Sequence, residues 1–128
     1  TIHSNSCEAT YRRMCTLCKR KYDIKDETLM ALVTEAFPII VFTKQLENKQ
    51  RKVMEIMECE ILQDGTMNFR TLYHYHIKEN RMEENRFIIS GEHEKVNNMS
   101  ESLKRRLLEN GMPKEVLTQI IGKEDVVC

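Results

Sequence analysis

The chain has no tryptophan, only two prolines and four glycines among its 128 residues, and no net charge. Each shortage excludes something. Gly65, Gly91, Gly111 and Gly122 lie far apart, and none precedes Lys-Ser or Lys-Thr, so the sequence holds no Gly-rich phosphate loop. Even Gly122-Lys123 runs on into Glu124. No apolar run approaches the ~18 residues that a membrane-spanning helix requires, and the first residues carry no secretory-signal pattern. Twenty basic residues balance twenty acidic ones, which removes the overall basic field that nucleic-acid binding of that kind depends on. Five cysteines are an odd number for a disulfide framework. They predict free thiols in a reducing, cytoplasmic setting.

A hydrophobic content of 41% beside 31% charged residues fits one α+β unit, and a chain of this length buries roughly two-thirds of its unfolded surface. Three stretches follow one another. Over residues 1–37, a polar turn leads into two helices. In the first, Cys7, Tyr11, Met14, Cys15, Cys18 and Tyr22 share one face, and Arg12, Arg13, Lys19 and Arg20 occupy the rest. The second starts with Asp23 or Asp26 as its cap, turns Leu29, Val33 and Ala36 inward and ends before Pro38. Over residues 38–91 the pattern predicts an antiparallel sheet of about four strands. Ile39-Ile40-Val41-Phe42 reads as a strand buried on both faces, and Lys52 to Ile61 as the next. Asp64-Gly65 offers the positive-φ pair of a tight hairpin. From Met67 to Ile77 apolar and polar residues alternate, with Leu72 out of phase. A charged linker from Lys78 to Asn85 then leads to a short strand, Phe87 to Gly91. Over residues 99–122, two short helices carry Leu103, Leu107, Val116, Leu117 and Ile120 inward, broken at Asn110-Gly111 and reopened by Pro113.

Three groups offer chemistry. Cys15 and Cys18, joined by Cys7 or His3, make a possible zinc set, but their helical spacing on an apolar stripe reads as buried thiols, and no metal is expected. His74 and His76 share a strand face without a partner at diagnostic spacing. Lys104, Arg105 and Arg106 in the closing helices read as a solvated face or subunit contact, not as DNA recognition. The opening Thr1-Ile2-His3-Ser4-Asn5-Ser6 is different. A strand-end histidine followed by small polar residues sets an imidazole beside a reacting phosphate, with Ser4 and Asn5 as further hydrogen-bonding groups.

Those six residues resemble the His box of the secretion-superfamily ATPases, the hexameric motors of type II and type IV secretion and type IV pili. Further elements follow in the order of the CpaF- and TadA-like pilus-assembly branch. They are Arg13-Met14, Glu35 to Val41, Arg51-Lys52-Val53 into Ile56-Met57-Glu58, Thr71 to Tyr75, Phe87 to Gly91 and Leu103 to Gly111. Pro38, Met30 and Cys15 depart from the branch, which has Asp, Arg and Glu there. The resemblance implies the C-terminal part of a RecA-like P-loop ATPase domain, a fragment of a longer protein. His3 would be catalytic at the γ-phosphate, and Thr1, Ser4, Asn5 and Arg13 would lie at the nucleotide. ATP and Mg²⁺ belong to that parent, and none is expected on the fragment, which without the phosphate loop would turn over no ATP. The implied partners are a homo-oligomer, hexameric in the parent, and a membrane-embedded secretion or pilus platform at the inner face of the cell membrane, with no nucleic acid. Exposed apolar surface of such a fragment predicts self-association through an edge strand or swapped helix. The alternative reading is a stand-alone protein-interaction module.

Overall fold

The computed structural model describes residues 1–121, and Gly122, expected at the end of the last helix, lies outside them. The chain divides into two compact units, Thr1–Asn97 and a second from Asn98 onward. The first holds α1 (Cys7–Lys19), α2 (Asp26–Ala36), β1 (Ile39–Gln45), β2 (Arg51–Ile61), β3 (Met67–Glu83) and β4 (Arg86–Lys95). The second holds α3 (Glu101–Glu109) and α4 (Lys114–Ile121). The molecule is thus α+β, with one four-stranded antiparallel sheet in the order β1-β2-β3-β4.

Local chemistry sets the helix ends. Ser6 is extended at φ −163° and its hydroxyl accepts the Ala9 N–H at 3.1 Å, which caps α1. Glu8 in the first turn and Lys19 in the last suit the helix dipole. Because α1 stops at Lys19, Tyr22 falls beyond it and stays exposed instead of joining the apolar stripe. In α2 the cap position is Lys25, which makes no side-chain bond there. Asp26 is already helical, so neither aspartate is the cap, and Asp26 and Glu27 act through the dipole instead. Leu29 and Val33 are buried, whereas Ala36, the last helical residue before the chain turns off toward Pro38, is exposed.

The sheet is a meander, but its strands differ from the sequence pattern in three places. β1 is an edge strand covered on one side: Ile40 packs on the core while Ile39 and Val41 are exposed. In β3 the pairs Ile56 with Tyr73 and Met57 with Thr71 leave Leu72 as an extra residue. A bulge of this kind resets the alternation, which explains why Leu72, buried, stands out of phase. The supposed linker Lys78 to Asn85 is no linker. β3 and β4 pair from Tyr73 with Lys95 out to Glu83 with Arg86, around a second bulge at Lys78. The hairpin closes at Glu84 and Asn85, both left-handed at φ 47° and 62°, the geometry of a two-residue mirror-image turn. β2 pairs with β3 no farther than His74, so the outer part of this hairpin is a two-stranded arm.

Two shorter loops share one design. Lys49 N–H reaches Leu46 O and Leu46 N–H reaches Gln50 O, both at 2.9 Å; Gly65 to Leu62 and Leu62 to Thr66 repeat this at 2.9 Å. Each loop needs one left-handed residue, supplied by Lys49 at φ 66° and by Gly65 at φ 82°. Asp64 is not left-handed, so the expected pair is a single residue. Its carboxylate instead accepts the Thr66 N–H at 2.9 Å.

α1 and α2 cover the sheet over a core of Tyr11, Cys15, Leu29, Val33 and Cys59, extended by Ile40, Met67 and Phe69. Tyr11 is fully buried, its hydroxyl donates to Phe37 O at 2.7 Å, and its ring lies 5.6 Å from that of Phe69. In the second unit Ser100 caps α3 through the Leu103 N–H at 3.1 Å, and α3 ends as expected, with Gly111 at φ 91°. Met112 N–H bonds Leu107 O and Gly111 N–H bonds Leu108 O, a Schellman closure. The buried residues of α4 are Leu117 and Ile121, one turn apart. Val116 and Ile120, expected inward, form the neighbouring exposed stripe.

Gly91 sits opposite the Lys78 bulge, where an added Cβ would lie 2.2 Å from the carbonyl oxygen of His76. Gly91→Ala is expected to lower stability by about 1–3 kcal/mol or more in urea unfolding, because backbone must move. Lys49→Gly relieves a left-handed lysine and is expected to raise it by about 1 kcal/mol. The same urea midpoints check both.

Candidate functional site

The capped start of α1 also builds a groove. Ser6 O is the anchor: it accepts the Thr10 N–H at 3.1 Å, the Thr10 hydroxyl at 2.8 Å and the Ser4 hydroxyl at 3.4 Å. These bonds hold the segment before the helix against its first turn. His3, Ser4 and Asn5 then form one wall of an open groove of about 710 Å³, and Ala9, Arg13, Thr16, Leu17 and Arg20 form the other. The second set recurs at helical spacing on the side of α1 away from the Tyr11 core.

Four of the five residues that the resemblance implies are therefore together: His3, Ser4, Asn5 and Arg13. Thr1 is not with them. It lines a neighbouring groove of about 490 Å³, between the segment Thr1 to Ser4 and β1, which His3 and Ser4 also border. Residues 1–4 form no strand ladder here.

No carboxylate lines the larger groove. Arg12, one residue from Arg13, is paired with Glu8 at 2.8 Å, whereas Arg13 takes part in none of the ion pairs found among the described residues. The groove thus offers two guanidinium groups, an imidazole and the small polar groups of Ser4, Asn5 and Thr16. Such a set binds anionic oxygens and can donate hydrogen bonds to a phosphate. Sequence reading missed Thr16 and, more consequentially, the second guanidinium, Arg20. Its only signal is its place seven residues beyond Arg13, two helical turns along the same face.

Among the described cysteines, Cys7, Cys15 and Cys59 are buried and serve the core. Cys7 is fully buried, and its thiol donates weakly to Ile40 O at 3.7 Å. Burial, with Glu55 alongside, pushes that thiol up to about 12. Burial likewise raises the thiols of Cys15 and Cys59, and Cys15 meets Met30 Sδ at 2.8 Å. Cys15 and Cys18 lie within α1, and among the described residues no group of His, Cys, Asp and Glu is arranged to hold a metal ion. Among those residues, too, no helix is long and apolar enough to cross a membrane.

The raised thiols and Tyr11, raised also by burial, favour folding in their neutral forms. Their contribution is complete below the ordinary thiol value of 9.0 and is lost as the pH climbs toward about 12 for Cys7. Urea midpoints are expected to hold steady from pH 7 to about 9 and then to fall, less steeply in Cys7→Ala than in the parent chain.

Comparison of the chain with protein-family models and with curated proteins finds no match in either.

Proposed function

We propose that this chain is the C-terminal part of a RecA-like hexameric motor ATPase that drives pilus assembly or protein secretion. The observation that carries the reading is the joint placement of His3, Ser4, Asn5 and Arg13 around one groove free of carboxylates. Those residues are the ones the His-box resemblance implies, and they are drawn from both the opening segment and the second turn of α1.

Within such a motor the His3 imidazole donates a hydrogen bond to a γ-phosphate oxygen, and Asn5 and Ser4 hold the same side of the phosphate. The Arg13 guanidinium neutralises charge that builds on the transferring phosphoryl group, where one cation contributes strongly because the reaction depends on positioning and electrostatics. ATP and Mg²⁺ supply the phosphoryl group and its charge balance. The phosphate loop that would cradle them is absent from this sequence, so the chain by itself does not hydrolyse ATP. The motor would work in the cytoplasm against the inner face of the membrane, on a membrane-embedded platform protein.

A second reading, a protein-interaction module without enzymatic activity, is favoured by the β3–β4 arm. Met82 and Phe87 are cross-strand partners near its tip, and both are exposed, at 57% and 43%.

In the full-length motor, His3→Ala and Arg13→Ala are each expected to cut ATP turnover by about 10²–10³-fold while ATP still binds. The purified chain is expected to show no turnover. Hydrolysis by the chain alone, or unchanged turnover in both full-length variants, overturns the motor reading.

A further inference from the structure

Between the start of α2 and the β2–β3 turn the first unit has a further cleft, of about 450 Å³. Asp26, Glu27 and Asp64 line it as exposed residues, Met30, Ile61 and Met67 make it apolar, and no cationic residue lines it. Met30 and Met67 are half-buried and pack against the core, whereas Ile61 is 38% exposed. The apolar surface is thus backed by the core and open outward. At Gly65, also in the lining, an added Cβ would meet nothing within 4 Å, so the turn does not crowd the mouth. Met30 stands where the CpaF- and TadA-like branch carries an arginine, which makes this combination of acid and apolar surface a property of the present chain. Asp26 is engaged by Lys19, but Glu27 takes part in none of the ion pairs found among the described residues. Asp64 uses one oxygen, Oδ1, to accept both the Thr66 N–H at 2.9 Å and the Thr66 hydroxyl at 2.6 Å. Those bonds fix the carboxylate on the turn and leave Oδ2 for a further donor.

We infer that this cleft docks a short basic and apolar segment of another protein, with a large apolar side chain on Met30, Ile61 and Met67 and flanking Lys or Arg residues on Glu27 and Asp64. Two features select that chemistry. One carboxylate comes from α2 and the other from the β2–β3 turn, so the acids match a segment whose cations flank its apolar residue, and they oppose an acidic one. Methionine is unbranched and polarizable, so it adapts to more than one apolar side chain, as in grooves that take basic amphipathic segments. The volume suits one large side chain and the aliphatic stems of its cationic neighbours, not a whole helix. Apolar contact supplies the drive, and the carboxylates supply the choice of partner and a faster encounter. The cleft shares no residue with the groove of His3 and Arg13. The inference therefore goes beyond the motor reading and does not rest on it.

Fluorescence anisotropy of the purified chain with a labelled hexapeptide, Lys-Arg-Leu-Phe-Arg-Lys, tests this. Binding is expected to saturate and to weaken about tenfold in ~0.5 M salt. A second hexapeptide with Ser-Ser in place of Leu-Phe is expected to bind about tenfold more weakly or worse, because its apolar anchor is gone. Asp64→Asn keeps an oxygen for the Thr66 bonds and removes only the charge, and is expected to weaken binding of the first peptide about two- to threefold. Glu27→Lys reverses a charge and is expected to weaken it about fivefold or more. Circular dichroism checks that both variants fold. No saturable binding of the first peptide up to ~1 mM, equal binding of the two peptides, or variants that both bind like the wild type overturns the inference. Equal binding of the peptides would reduce the cleft to a patch of negative charge. None of these readouts involves ATP, so their failure leaves the motor reading to be judged separately by turnover.

Discussion

The burial of Tyr11 is the constraint on which the rest of the first unit depends. One side chain joins three elements: it belongs to α1, its ring meets Phe69 of β3, and its hydroxyl donates to the carbonyl of Phe37 where α2 ends. That carbonyl precedes Pro38, which cannot continue a helix, so the bond satisfies a backbone acceptor exactly where the chain leaves α2 for β1. A phenolic hydroxyl buried without a partner costs roughly 1–3 kcal/mol, which ties the position of α1 to that of the α2–β1 junction. With Cys7 held against Ile40 of β1 at the other end of the same helix face, α1 is fixed on the sheet along its length.

Fixing that face of α1 determines what the opposite face presents. Once Tyr11 and Cys15 turn inward, Arg13, Leu17 and Arg20 must face away from the core, and the Ser6 cap brings His3 to Asn5 beside them. The groove therefore follows from the cap and the helical period together.

The sheet shows how small departures from regular pairing reshape a surface. The extra residues Leu72 and Lys78 each shift the phase of β3. Through them one strand of seventeen residues lies first in the four-stranded sheet and then continues as half of an arm. Gly91 opposite the second bulge leaves the room that its crowded backbone requires. The arm keeps charge along one face, where Arg81 pairs with both Glu79 and Glu83, and such charges are a common guard against unwanted strand pairing.

Much of this was determined by the sequence alone. Helical spacing located α1 and the inward turn of Tyr11, Cys15, Leu29 and Val33. Asn110-Gly111 located the end of α3, and the β-branched and alternating runs located four antiparallel strands, because these signals act within a few residues of one another. The candidate residues His3, Ser4, Asn5 and Arg13 were legible from motif order. What only the tertiary structure decided involves distant or cancelling effects. A bulge hides inside an alternating pattern as one residue out of phase, as Leu72 did. A turn made by Glu84 and Asn85 lacks the glycine that usually marks it, so the arm read as a linker. Whether β1 was buried on both faces depended on which layer covered the sheet, and no local pattern carries that. Arg20 joined the groove only because the cap and the Tyr11 core together chose the orientation of α1, a choice made by packing across the whole unit and not by any one segment.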